Sequence, residues 1–165
     1  MTEKTFSDTR DGKTYKTIEV NGLIWMAENL NFETEGSWWY QDNEANGKKY
    51  GRLYTWDAAV RACPSGWRLP TNEEWQELIE SYGGLDSGYE AVIEGGQSGI
   101  DILLGGYRDL NGKFGRAGAY GGYWTEKEDT ADRAWGLNID GYYKKLDIID
   151  GLKGSGRSCR CIKNV

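Results

Sequence analysis

Histidine is absent from this chain of 165 residues. Without imidazole, Ser-His-Asp and Cys-His nucleophile arrangements and His-ligated iron centres are excluded. Cysteine is scarce. Cys63, Cys159 and Cys161 are too few for a disulfide scaffold and suffice for one bridge with one thiol left over. Proline occurs only at Pro64 and Pro70. Long hydrophobic runs are missing too. The longest apolar stretch, Leu23 to Ala27, is strand length, far short of the roughly 18–20 residues that span a bilayer. The charge is −6, and the densest basic cluster (Lys144, Lys145, Lys153, Arg157, Arg160) is interrupted by acids. Phosphate neutralisation carries most nucleic-acid affinity, so a nucleic-acid partner is not expected. The opening Met1-Thr2-Glu3-Lys4-Thr5 is polar and lacks the apolar core of a secretory signal.

Aromatic residues and glycine are abundant instead. Only 38% of residues are hydrophobic, but eight Trp, eleven Tyr and three Phe offer large buried areas. The 24 glycines are scattered among these rings, which implies turns and close backbone approaches and not a disordered tract. The length fits one domain.

Local signals give an order of elements. A turn at Asp8 to Lys13 precedes a strand, Thr14 to Val20. Asn21-Gly22 is a hairpin turn, and Leu23 to Met26 returns. Asn31 to Lys49 reads as a polar loop pinned by Trp38, Trp39 and Tyr40. Thr55 caps a helix over Trp56 to Ala62, ended by Pro64-Ser65-Gly66. Thr71 and Glu74 form a capping box for a second helix over residues 72–82, where Trp75, Leu78, Ile79 and Tyr82 recur at helical spacing before Gly83-Gly84. Gly83 to Gly122 holds thirteen glycines and no helical period. Strands are then expected at 122–125, 133–139, 142–146 and 158–162. The turns between them are at Asp140-Gly141 and Gly154-Ser155-Gly156. The class is α+β.

Six segments carry a family pattern in order: residues 11–17, 25–31, 50–56, 63–71, 105–108 and 160–163. Together, over roughly residues 8–164, they closely resemble the Fibrobacter succinogenes major paralogous domain. The resemblance implies a C-type-lectin-like fold: an N-terminal hairpin, two helices, a long Gly-rich loop region and a late mixed sheet near the N-terminus. It implies a bridge between Cys63 and Cys161, with Cys159 a small buried residue. It also implies an extracytoplasmic setting, secreted or at the cell surface of a bacterium, with the signal sequence outside this chain. Family members often carry a cysteine pair where this chain has Trp39 and Gly47.

The chemistry points away from catalysis. Cys159 and Cys161, one residue apart on a strand, share a face. A copper or redox thiol pair of the formylglycine-generating type is weighed against one structural bridge with an inert thiol, and the second is favoured. Asp42-Asn43-Glu44 and Asp109-Leu110-Asn111-Gly112 carry oxygen ligands, but neither fits an EF-hand. No cofactor is expected, and calcium is a minor alternative.

The aromatic residues carry more information. Trp56, Trp67 and Trp75 are assigned to the core, and the alternation of Trp135, Leu137 and Ile139 adds Trp135. Trp38, Trp39, Tyr40, Tyr107, Tyr120, Tyr123, Trp124, Tyr142 and Tyr143 are the remaining candidates for a stacking platform. The expected function is a non-enzymatic module binding a glycan or a protein. Its expected ligand contacts are Tyr107, Arg108, Asp129, Arg133, Tyr142, Tyr143, Lys144 and Asp147, with Asp132 and Lys145 beside them. Strand alternation would turn only one of Tyr142 and Tyr143 outward, with Tyr143 favoured. The alternatives are a variable display protein of a diversity-generating retroelement, an accessory domain without a ligand, and a formylglycine-generating-type enzyme.

Overall fold

The computed structural model describes residues 4–165. The polar start, Met1 to Glu3, lies outside them. The expected hairpin is present and gains a third strand. Strand β1 (Lys4–Ser7) pairs with β2 (Thr14–Val20), which pairs antiparallel with β3 (Leu23–Met26). Asn21 and Gly22 have φ of 52° and 77°, the left-handed pair that a two-residue hairpin turn requires. The final strand, which we label β11 (Ile162–Asn164), pairs with β3, so this sheet has the order β1-β2-β3-β11 and joins both ends of the chain.

The 31–49 segment is more ordered than its polarity suggests. β4 (Ser37–Trp39) pairs with β5 (Arg52–Tyr54), and α1 (Glu44–Tyr50) lies between them. Asn43 starts α1 by accepting from the N–H groups of Ala45 and Asn46. This helix shows no apolar stripe because its buried residue is Gly47. A Cβ on Gly47 would overlap the Trp39 indole. Trp39 and Gly47 are therefore in contact here, ring against backbone.

Helix α2 (Trp56–Ala62) starts at Thr55, which accepts from Ala58 N–H at 3.3 Å. Helix α3 (Asn72–Glu80) carries the full capping box. It stops two residues before the expected end, where the N–H groups of Tyr82 and Gly83 turn to the carbonyls three residues back, those of Ile79 and Glu80. Two short helices, α4 (Gly84–Ser87) and α5 (Tyr89–Val92), follow in the glycine-rich region, where the sequence shows no helical period. Each is a single turn, too short to show a period. There are thus five α-helices among the described residues, besides one 3₁₀ turn over Tyr40–Asp42, where the sequence predicts two helices.

The short pair β6 (Tyr107–Arg108) and β7 (Phe114–Gly115) precedes the late sheet. That sheet has the order β10-β9-β8, formed by β8 (Tyr120–Glu128), β9 (Arg133–Asp140) and β10 (Lys145–Leu152). It is wholly antiparallel and not mixed. Its parallel element is one isolated bridge from Tyr123 to Ser158.

Two strand boundaries also move. Tyr142 and Tyr143 lie in the β9–β10 turn, because the Asp140 carboxylate accepts from both of their N–H groups. Strand β10 therefore starts at Lys145 and runs to Leu152, where the sequence reading ended at 146. Ser158 to Cys161 is held by two backbone bonds to β8 and one each to Met26 of β3 and to Leu30, and the strand proper starts at Ile162.

Neighbouring residues of β8 feed two cores. Tyr123 packs with Trp25, Trp75, Leu78, Ile79, Leu137 and Ile139. Trp124 packs with Met26, Leu30, Tyr54, the α2 alanines, Cys159 and Cys161. Both rings are fully buried, so neither belongs to a platform. Trp67 and Trp75 are core as expected, whereas Trp56 and Trp135 are only half-buried. The Trp56 indole donates to the carbonyl of Thr125, and Lys127 lies over the Trp135 ring. Cys63 and Cys161 form the expected disulfide with Cα atoms 5.8 Å apart.

Candidate functional site

The last connection of the chain, between β10 and β11, carries Arg157 inward. Its backbone is pinned by a reciprocal pair of bonds with Tyr54. Its guanidinium lies over the Trp124 ring, 4.5 Å from the centroid, and Nη1 donates to Asn138 Oδ1 at 3.2 Å. Space for it comes from strand glycines. A Cβ on Gly151 would overlap the guanidinium, and one on Gly136 would lie 2.7 Å from Nη1. Glycine inside a strand often marks such a close approach.

Arg157 is only 8% exposed, and it forms no ion pair with any described residue. Burial pulls its pKa below the ordinary arginine value, although a guanidinium stays charged. Nη1 alone has an acceptor, and Nε and Nη2 are not sealed from solvent.

Arg157 lines a groove of about 350 Å³ with Tyr107, Tyr120, Arg133, Asn138 and the β10 residues Ile149 to Leu152. The rings of Tyr107 and Tyr120 meet edge to face at 5.9 Å on one wall. Leu110, Ile149 and Leu152 also line it and are among the few large apolar side chains left exposed. Both acids in the groove are engaged. Asp150 accepts from Arg133 Nε, and Asp109 Oδ1 accepts from the N–H groups of Asn111 and Lys113. The Arg133 guanidinium accordingly holds the Asp150 carboxyl below its ordinary pKa.

Of the eight contact residues expected from sequence, Tyr107 and Arg133 line this groove. Arg108 follows Tyr107 but turns away, stacked 3.8 Å over the Trp38 ring. Asp129 sits exposed in the β8–β9 turn, donating its N–H to the Arg133 carbonyl, and Asp132 there accepts from Thr130. Tyr142 and Tyr143 form an edge-to-face pair at 4.8 Å on the β9–β10 turn, 80% and 75% exposed. Both face outward, which corrects the strand alternation expected for them. Lys144 beside them pairs with Glu90, and Lys145 pairs with Asp147 on β10. At about 3.3 Å per residue, Ile149 stands roughly 13 Å along β10 from Lys145, the strand residue next to the tyrosine tip. The eight residues are thus not gathered at one site: two line the groove, Arg108 and Asp129 lie apart from it, and the other four stand at the tyrosine tip and along β10. Arg157, Tyr120 and the exposed aliphatic residues were not among them.

A larger cavity of about 440 Å³ lies between β2, the segment 27–31 that follows β3, and α1. Its wall alternates Lys13, Lys48 and Lys49 with Glu28, Glu94 and Asp101, so both signs are present. Its floor residue Asn29 already accepts from Tyr123 and Arg160.

The three sulfurs of Cys63, Cys159 and Cys161 lie within 4.8 Å of one another. Two are joined, and Cys159 is the remaining thiol. The acidic loops considered for calcium are used internally: Asn43 caps α1, and Asp109 closes its own turn.

Comparison with protein families matches residues 18–163 to the Fibrobacter succinogenes major domain. No curated protein and no solved structure matches the chain.

Proposed function

This chain belongs to the Fibrobacter succinogenes major domain family, and on that footing we propose that it is a non-enzymatic ligand-binding module with a C-type-lectin-like fold. It serves a secreted or surface-exposed bacterial protein, and its ligand is a carbohydrate or a protein segment. The observation that carries this reading is the groove beside β10. A buried cation without an acid partner faces a concave surface walled by tyrosines and rimmed by exposed aliphatic side chains. Desolvated cations are costly to leave uncompensated, and exposed aliphatic residues around a concavity favour contact with a second molecule. The non-enzymatic part rests on composition and engagement. The chain has no imidazole, its buried thiol is held in the neutral form, and the groove carboxylates already accept hydrogen bonds. The disulfide suits an oxidising compartment.

The test is an unbiased glycan and protein array with the purified domain beside its Leu152→Asp variant. Binding by the native domain that the variant loses supports the module and its site. Binding that survives the change places the site elsewhere, and an empty array with folded protein overturns the module reading.

A further inference from the structure

We propose that the groove takes a carboxylate carried on an extended peptide segment, with the acid seated on Arg157. This rests on the groove being the ligand site and adds what kind of ligand it takes.

The charge comes first. Asp150 is taken by Arg133, and Asp109 by backbone N–H groups, which leaves the Arg157 charge without an acid partner. Its Nε and Nη2 donors have no acceptor among the described residues. A guanidinium edge with two donors matches a carboxylate in a way that a neutral hydroxyl does not. The Trp124 ring and the bond to Asn138 hold the guanidinium in place before any ligand arrives, in the space that Gly136 and Gly151 leave. Little is therefore lost to ordering when it binds.

The rim selects between an acidic peptide and an acidic sugar. Leu110, Ile149 and Leu152 are 58%, 44% and 36% exposed and line the same groove. They offer sugar hydroxyls nothing to bond with, but they suit aliphatic side chains flanking an acid.

The backbone adds a third argument. Strand β10 is the outer strand of its sheet and pairs with β9 on one side only. From Lys145 to Gly151 its outward backbone groups bond to no other described segment. An extended peptide can add to such an edge by main-chain hydrogen bonds, its alternate side chains pointing into the groove.

The experiment uses a displayed random peptide library panned on the folded domain, counter-selected on the Leu152→Asp variant, with trigalacturonate as a carbohydrate probe. Selected peptides should carry Asp or Glu between aliphatic residues at alternate positions. Changing that acid to its amide should weaken binding about tenfold or more. In the isotope-labelled domain, the acidic peptide should shift the Arg157 Nε–H resonance and the amides of residues 149–152. Peptides that bind the groove equally well as acid and amide overturn the carboxylate assignment while leaving the groove as a site. Trigalacturonate that moves the Arg157 resonance when no peptide does overturns the peptide in favour of an acidic sugar. No selected peptide at all, or peptides that bind the Leu152→Asp variant equally, overturns the proposal. The acid-to-amide comparison needs no change in the protein, so it holds even if Arg157 variants fail to fold.

Discussion

The Sγ atom of Cys159 lies 3.9 Å from that of Cys161, which is bonded to Cys63. The free thiol is fully buried, and burial pushes its pKa up to about 12. Thiols react as thiolates, and this one is neutral and sealed at neutral pH. Native protein should therefore resist iodoacetamide at pH 8, and denatured protein should take up one label per chain. Rapid labelling of the folded form, located at Cys159 by peptide mapping, would refute this.

The Cys63–Cys161 bridge closes a separation of 98 residues. Replacing both cysteines by alanine should lower stability by about 2–5 kcal/mol, measured by urea unfolding, through freedom returned to the unfolded chain. Cys159→Ala should cost far less, because a small cavity is all it leaves. Equal effects would mean that the bridge is absent in solution.

Arg160 is buried without an acid partner, yet it differs from Arg157 because its donors are used. Nε donates to Asn29, Nη1 to the carbonyls of Met26 and Ile100, and Nη2 to that of Asp101. It ties β3 to the loop before β6. Arg160→Met strands these acceptors and should cost about 3 kcal/mol or more in urea unfolding, whereas Tyr143→Ala on the exposed tip should stay within about 0.5 kcal/mol.

Glu74 accepts from Arg68 and from Thr71 N–H, and these bonds, Arg68 first, hold its pKa below the ordinary glutamate value. Its folded value lies below its unfolded one. The stabilisation is thus complete above the unfolded value and is lost as pH falls through the folded value. Glu74→Gln keeps the cap geometry and removes the charge. It should cost about 1 kcal/mol at pH 7, and the difference should vanish in acid. Unfolding curves of both proteins at several pH values check this, and a gap that persists at pH 2 would contradict it.

Elements whose signal is local were legible in the sequence. Asn21-Gly22, Thr55 and the Thr71–Glu74 box each act within a few residues, so their hairpin and helices stand where expected. Helix α1 was hidden because its buried position is a glycine under Trp39, a contact that no periodicity reveals. Tyr142 and Tyr143 favour strands by propensity, but the Asp140 carboxylate holds their N–H groups in a turn. The groove depends on Arg157, which nothing near Gly156 or Ser158 marks as buried. A usable hint was present in Gly136 and Gly151, two strand glycines with no turn to make.

Those glycines give the last prediction. A Cβ on Gly151 would overlap the guanidinium of Arg157, and neither Gly136 nor Gly151 is in the left-handed region. Any penalty at Gly151 therefore comes from the arginine and not from backbone strain. Gly151→Ala should destabilise by about 1–3 kcal/mol, the range for overpacking a filled site. In an Arg157→Met background the same change should cost much less, because a flexible thioether chain can move aside. The double-mutant cycle in urea should return a coupling of about 1 kcal/mol or more. Two additive changes would mean that the guanidinium does not occupy the space between the strand glycines. The floor of the groove would then differ from the one described, and the charge offered to a ligand would sit elsewhere.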